Sequence, residues 1–263
     1  TVWRELGSGD LGEIVRRGWK VPRRLAFPGR DGKTLIYGIL LLPEGGGPVV
    51  EKVYAGPQAA HVPKGWDALQ DMQDLVAGGC AVVMVDGMGT NCRSRRFLEV
   101  CWQDLDDAGF PDRIAWLRRA AAQHPTLDLS RVGIFGGSAG GQTAVVALLD
   151  HGGFYSVAVA DCGCYDNRVD KRWWNEQWLG WPVSGCYERG STWGKVEKLR
   201  SDQHLMLIVG QSDGNVDPAC TLGLVQALQQ ADKDFSLIYM VNTGHGAAEQ
   251  PYASKRRQRF LLR

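Results

Sequence analysis

One serine, one histidine and two aspartates carry the chemistry this chain could do. The serine is Ser138, in Arg131-Val-Gly-Ile-Phe-Gly-Gly-Ser-Ala-Gly-Gly-Gln142. A short apolar run ends in Gly136-Gly137-Ser138-Ala139-Gly140-Gly141, and an Ala/Val/Leu-rich segment follows. That order reads strand, tight turn, helix, the setting of a G-x-S-x-G nucleophile elbow. Glycines suit the turn because the serine there is strained and crowded. A glycine turn that only packs helix on strand would share the pattern; the flanking elements favour the elbow.

A serine hydroxyl is a weak nucleophile, so it needs a base, and the base needs an orienting acid. In elbow architectures the chain order is nucleophile, acid, histidine. His204 and His245 follow the elbow at a useful distance. His204 immediately precedes the apolar run Leu205–Val209, which puts it at the wrong edge of a sheet. His245 follows the run ending at Val241, inside Asn242-Thr-Gly-His-Gly246, and is the expected base. The acid should lie in Gly210-Gln-Ser-Asp-Gly-Asn-Val-Asp-Pro218. Asp217 precedes Pro218 and an apolar-periodic stretch, the pattern of an N-cap with proline at the first helical position. Asp217 then has a structural duty, and Asp213 is the favoured acid. A tetrahedral intermediate also needs fixed donors for its oxyanion. One would be the backbone N–H of Ala139. The other would come from Tyr54-Ala-Gly-Pro57 after an early strand, where the Tyr54 hydroxyl is the candidate; plain packing is the competing role for a tyrosine at a strand end.

Alternating elements must position these groups. Thr34–Leu42, Val49–Tyr54, Cys80–Val85, Val132–Phe135, Ser156–Ala160, Leu205–Val209 and Phe235–Val241 read as strands. Trp66, Leu69, Met72 and Val76 fall at helical spacing; Pro111 opens a helix carrying Ile114, Leu117 and Ala121 inward. Ala144, Val145, Leu148 and Leu149 form the stripe of the helix after the elbow. The pattern predicts an α/β protein: a mostly parallel sheet of about eight strands, helices on both faces, reactive groups at the carboxyl ends of the strands.

Composition narrows the function further. The chain has 263 residues, 44% of them hydrophobic, enough for one large core. A formal net charge of +1 gives no global field for nucleic acid or an anionic membrane. The run Lys255-Arg256-Arg257-Gln258-Arg259 reads as a solvated face near the end of a last helix. No stretch has transmembrane length. The seven cysteines lack a paired zinc spacing, and buried free thiols are expected for most of them. No metal or organic cofactor is implied.

With these motifs in place, the chain resembles the catalytic domain of the prolyl oligopeptidase family, within it the dipeptidyl peptidase IV branch. The resemblance runs from about Asp31 onward. Val53-Tyr54-Ala55-Gly56-Pro57 resembles that branch's oxyanion tyrosine motif, and Val85-Asp86-Gly87-Met88-Gly89-Thr90 its D-G-R-G segment, with Met88 in place of arginine. Asp213-Gly214-Asn215-Val216 resembles its D-D-N-V acid loop, with Gly214 in place of the second aspartate. Gly136–Gly141 and Gly244-His245-Gly246 match the elbow and the base.

The resemblance implies an α/β-hydrolase fold and a serine peptidase acting on short peptides, of X-Pro or X-Ala type. It implies Asn215 against the substrate backbone, and Tyr165, Trp174 and Val216 in the wall of the S1 pocket. Packing is the alternative for Trp173, Trp174, Trp178 and Trp181, and is expected for at least two of them. Residues 1–30 are then an extension or the remnant of a linker to an upstream β-propeller, and residues 31–263 the catalytic domain. A homodimer through the hydrolase domain is also implied. A carboxylesterase and a catalytically silent hydrolase-like module are the alternatives. The compartment stays open between periplasmic or secreted and cytoplasmic.

Overall fold

Apolar runs punctuated by glycine and proline become the strands β1 (Arg23–Pro28), β2 (Leu35–Leu41), β3 (Gly47–Lys52), β4 (Ala81–Asp86), β5 (Leu127–Gly137), β6 (Val157–Asp161), β7 (His204–Gly210) and β8 (Ser236–Met240). The helices are α1 (Gly12–Arg16), α2 (Gln70–Ala77), α3 (Arg95–Leu98), α4 (Phe110–Gln123), α5 (Ala139–Asp150), α6 (Arg172–Leu179), α7 (Gly185–Arg189), α8 (Pro218–Gln230) and α9 (Pro251–Leu261). The structure is a computed structural model and describes residues 10, 12–65, 67 and 69–263. Trp66 and part of the expected 1–30 extension lie outside the described residues.

The strands form one eight-stranded sheet in the order β1-β2-β4-β3-β5-β6-β7-β8. β2 runs antiparallel to both β1 and β4, and every later pairing is parallel. This is the mostly parallel α/β sheet read from the sequence. Its first strand begins at Arg23, inside the stretch expected as an extension, because Arg23–Pro28 pairs residue for residue with Leu40–Leu35.

Both faces of the sheet are covered, as parallel strands require. Ile134 and Ala158 pack with α5 and α8 residues such as Leu148 and Leu224. Their chain neighbours Phe135 and Val159 pack on the opposite side with Met72 and Leu75 of α2 and Ala253 of α9. That split is the period of two expected of a strand.

The α4 stripe differs from expectation. Pro111 does stand in its first turn, but the buried set is Phe110, Asp112, Arg113, Trp116, Leu117 and Ala120. Ile114 and Ala121 are only half-buried. A charge turns the helix inward: Arg113 pairs with Glu51 of β3 at 2.9 Å, both side chains fully buried. The Tyr155 hydroxyl donates to the same carboxylate at 2.6 Å. Beside them, Gly38 makes room for Trp116, whose ring would lie 2.7 Å from a Cβ there.

Candidate active site

The elbow forms where the glycine pattern puts it. Ser138 follows β5, precedes α5, and has φ 58° and ψ −121°. That is a costly conformation for a residue with a side chain, and such strain clusters at functional positions. Its N–H donates to Asp161 O at 2.9 Å, which holds the turn against the end of β6. The neighbouring glycines are there for close approach: a Cβ on Gly136 or on Gly140 would lie 2.3 Å from Val53 O. Side chains at these positions would push the elbow away from the end of β3 and from Tyr54. Ala139 opens α5, so its N–H has no intrahelical acceptor and is free for an oxyanion.

His245 and Asp213 come together from two loops. His245 Nδ1 and Asp213 Oδ2 are 2.8 Å apart; the carboxylate is fully buried and the imidazole 27% exposed. The other carboxylate oxygen, Oδ1, accepts from the N–H groups of Asn215 at 2.8 Å and Val216 at 3.0 Å. Ser212 N donates to Thr243 O at 2.9 Å and ties the acid loop to the histidine loop. Asp217 takes the other role: it is the N-cap of α8, and its side chain accepts from Ala219 N at 2.8 Å. His204 opens β7 at the opposite edge of the sheet and is exposed.

At Nε2 the recorded contact is Cys162 Sγ at 4.0 Å. Among the described residues no hydrogen bond joins Ser138 Oγ to Nε2, although both groups line one cavity of about 830 Å³. Catalytic hydrogen bonds are often long without substrate and tighten when it binds. Cys162, Asp213 and His245 are also the trio whose donor atoms lie within 4.8 Å of one another. The bond between Asp213 and Nδ1 reads that trio as an acid–base couple beside a buried thiol.

Tyr54 is half-buried and stacks on His61, with ring centroids 4.6 Å apart. Its loop is pinned from below. His61 Nε2 meets Gly56 O at 2.8 Å, and Asp86 accepts from His61 N at 3.0 Å and Val62 N at 2.9 Å. Sequence reading used Asp86 only as a strand end and a motif match. Its work is to hold the tyrosine loop, and burial raises its pKa.

A second cavity, of about 290 Å³, meets the first at Tyr54, Ser138 and Asn215. Ala139, Trp174 and Val216 line it, together with Cys164, which the sequence did not flag. Tyr165 is absent from that wall. It is fully buried behind it, with its ring against Gly163, and burial pushes its hydroxyl pKa well up. Of the four tryptophans, Trp178 sits in the core and Trp174 is half-buried, whereas Trp173 and Trp181 are each 66% exposed.

The basic run also departs from expectation at one position. Arg257 is buried; its guanidinium lies 4.8 Å from the centre of the Phe135 ring and lines the larger cavity. It falls four residues after buried Ala253 on α9, and that helical interval was the available signal. Asp161, also buried, accepts from Ala248 N at 3.1 Å, and burial pushes its pKa up to about 6. All seven cysteines are free; six are buried and Cys92 is exposed.

A serine on a strained strand–helix turn, with a histidine–aspartate pair on the two loops beyond β7 and β8, is the arrangement of a hydrolase of the α/β type. The prolyl oligopeptidase family model matches residues 66–263, and the chain belongs to that family. It is 29% identical over 231 residues to dipeptidyl peptidase 8 of Mus musculus, covering 82% of this chain and 25% of that protein. It is 25% identical over 204 residues to the prolyl endopeptidase FAP of Mus musculus, covering 76% of this chain and 26% of that one. The chain thus spans about a quarter of these relatives' length. The crystal structure of Porphyromonas gingivalis dipeptidyl peptidase 4 superposes with a TM-score of 0.83 at 22% identity, covering 97% of this chain and 37% of that one. That likeness supports the fold. Among the described residues, no helix is long and apolar enough to cross a membrane.

Proposed function

We propose that this chain is the catalytic unit of a serine peptidase that cleaves short peptides through an acyl-enzyme, after proline or a small residue. The observation that carries the reading is the Asp213–His245 couple at 2.8 Å, with His245 lining the same cavity as a Ser138 held at positive φ. With Nδ1–H donating to Asp213, the Nε2 lone pair is free to take the Ser138 proton as Oγ attacks the scissile carbonyl. The oxyanion is stabilised by Ala139 N–H and the Tyr54 hydroxyl. His245 then returns the proton to the leaving amine, and water repeats the sequence on the ester. Trp174 and Val216 give the acyl-side cavity its apolar wall, Tyr165 backs that wall, and Asn215 at its mouth supplies an amide for the substrate backbone.

The names of the relatives, dipeptidyl peptidase and prolyl endopeptidase, support the amide-cleaving reading over a carboxylesterase. The test is hydrolysis of a chromogenic X-Pro amide beside a short acyl ester, by the wild type and by Ser138→Ala. The amide should be cleaved, and Ser138→Ala should lower the rate by roughly 10⁴–10⁶. Ester turnover without amide turnover would shift the reading to an esterase. A near-normal Ser138→Ala rate would remove Ser138 from the mechanism.

A further inference from the structure

The two cavities divide the substrate between them. His245, which must protonate the leaving amine, lines only the larger one. Ala139, whose N–H faces the developing oxyanion, lines only the smaller. The acyl half of the substrate therefore belongs in the smaller cavity. Its walls are tryptophan, tyrosine, valine, cysteine, serine, alanine and amide side chains, and among the described residues the one charged group lining it is Lys171.

Lys171 is held in place. It is the N-cap residue of α6, at φ 63°, and its carbonyl accepts from Asn175 N at 2.8 Å. Its ammonium lies 5.6 Å from the centre of the Trp173 ring and donates to Asn215 Oδ1. Among the described residues, no carboxylate forms an ion pair with it; the nearby acids are engaged elsewhere. Asp166 pairs with Arg168 and Glu176 with Arg172, while Asp170 accepts from Asp217 N at 2.7 Å. A fixed cation with neutral partners, at the mouth of a cavity beside the nucleophile, favours ligands of opposite sign and disfavours those of like sign.

Resting on the peptidase reading above, we propose that Lys171 is a specificity-determining residue that selects peptides whose acyl segment carries a carboxylate. The ammonium meets an acidic side chain next to the residue donating the scissile carbonyl, and repels a basic one at the same place. Exposure on one side leaves the pair partly screened, so the preference weakens as salt shortens the Debye length.

The test uses the full chain and three p-nitroanilides, Glu-Pro, Gln-Pro and Lys-Pro, which differ in the charge of one side chain. The order of kcat/KM should be Glu, then Gln, then Lys, with Glu over Gln by roughly 5- to 50-fold. Lys171→Met should bring that ratio to near one, Lys171→Arg should keep it, and Lys171→Glu should place Lys-Pro first. Thermal melts would verify that each variant is folded. Cleavage of all three by the wild type at similar rates, or a preference that survives in Lys171→Met, overturns the assignment while leaving the peptidase reading intact. Cleavage of none of them removes the peptidase reading and this assignment with it.

Discussion

Tyr54 is the residue whose role depends most on its surroundings. A tyrosine at a strand end usually packs, and this one stacks on His61. Yet its hydroxyl makes no recorded hydrogen bond among the described residues, and the side chain lines both cavities at Ser138. A free donor beside Ser138 suits the charge that the proposed attack would develop only in the transition state. Tyr54→Phe should therefore lower kcat by about 10²–10³ with little change in KM. Steady-state kinetics on an X-Pro amide would decide it, and a loss of tenfold or less would return Tyr54 to packing. Asp86 and His61 act through this residue, since they hold the loop that aims it.

At the scale of the element, α8 separates two aspartates four residues apart in sequence. Asp217 caps the helix, whereas Asp213 reaches His245 from the loop before it. Replacing Asp217 by Ala removes one capping bond and should cost about 1 kcal/mol of stability, with kcat near the wild-type value. Replacing Asp213 by Asn should lower kcat by about 10⁴ with little loss of stability, because the amide favours the wrong imidazole tautomer. Denaturant melts and kinetics on the same two proteins check both halves. If the two phenotypes were exchanged, the assignment of acid and cap would be reversed. The same division of labour appears in β3, where the Glu51–Arg113 pair anchors the strand to α4 and the residues just beyond it serve the site.

Across the whole molecule, buried acids beneath the sheet's carboxyl edge set a pH signature. Burial, partly offset by the Ala248 N–H, pushes Asp161 up to about 6 from 3.8. Above that pH the folded protein carries the full cost of the buried charge. As pH falls through 6 toward 4, the folded state takes up its proton before the unfolded chain does, and the cost is relieved. Asp161→Asn removes the charge, so its stability advantage over wild type should be near zero at pH 4 and should grow to roughly 2–3 kcal/mol by pH 7. Urea unfolding of both proteins across that range measures it. A difference that does not change with pH would show that the Asp161 carboxyl is not the titrating group.

The sequence by itself determined the strand–turn–helix at Ser138, the placing of Asp213 and His245 on successive loops after it, the cap at Asp217, and the alternation that makes a mostly parallel sheet. Each rests on spacing within a few residues, where glycine sterics, proline geometry and side-chain periodicity act locally. Only the tertiary structure decided that Asp86 holds the Tyr54 loop, that Arg113 and Arg257 turn inward, that Tyr165 lies behind the cavity wall, and that Lys171 is the one charged group lining it among the described residues. Those outcomes depend on partners such as Glu51 and Arg113, 62 positions apart. No local pattern encodes which distant group will compensate a buried charge, because that compensation exists only once the sheet has brought the two together.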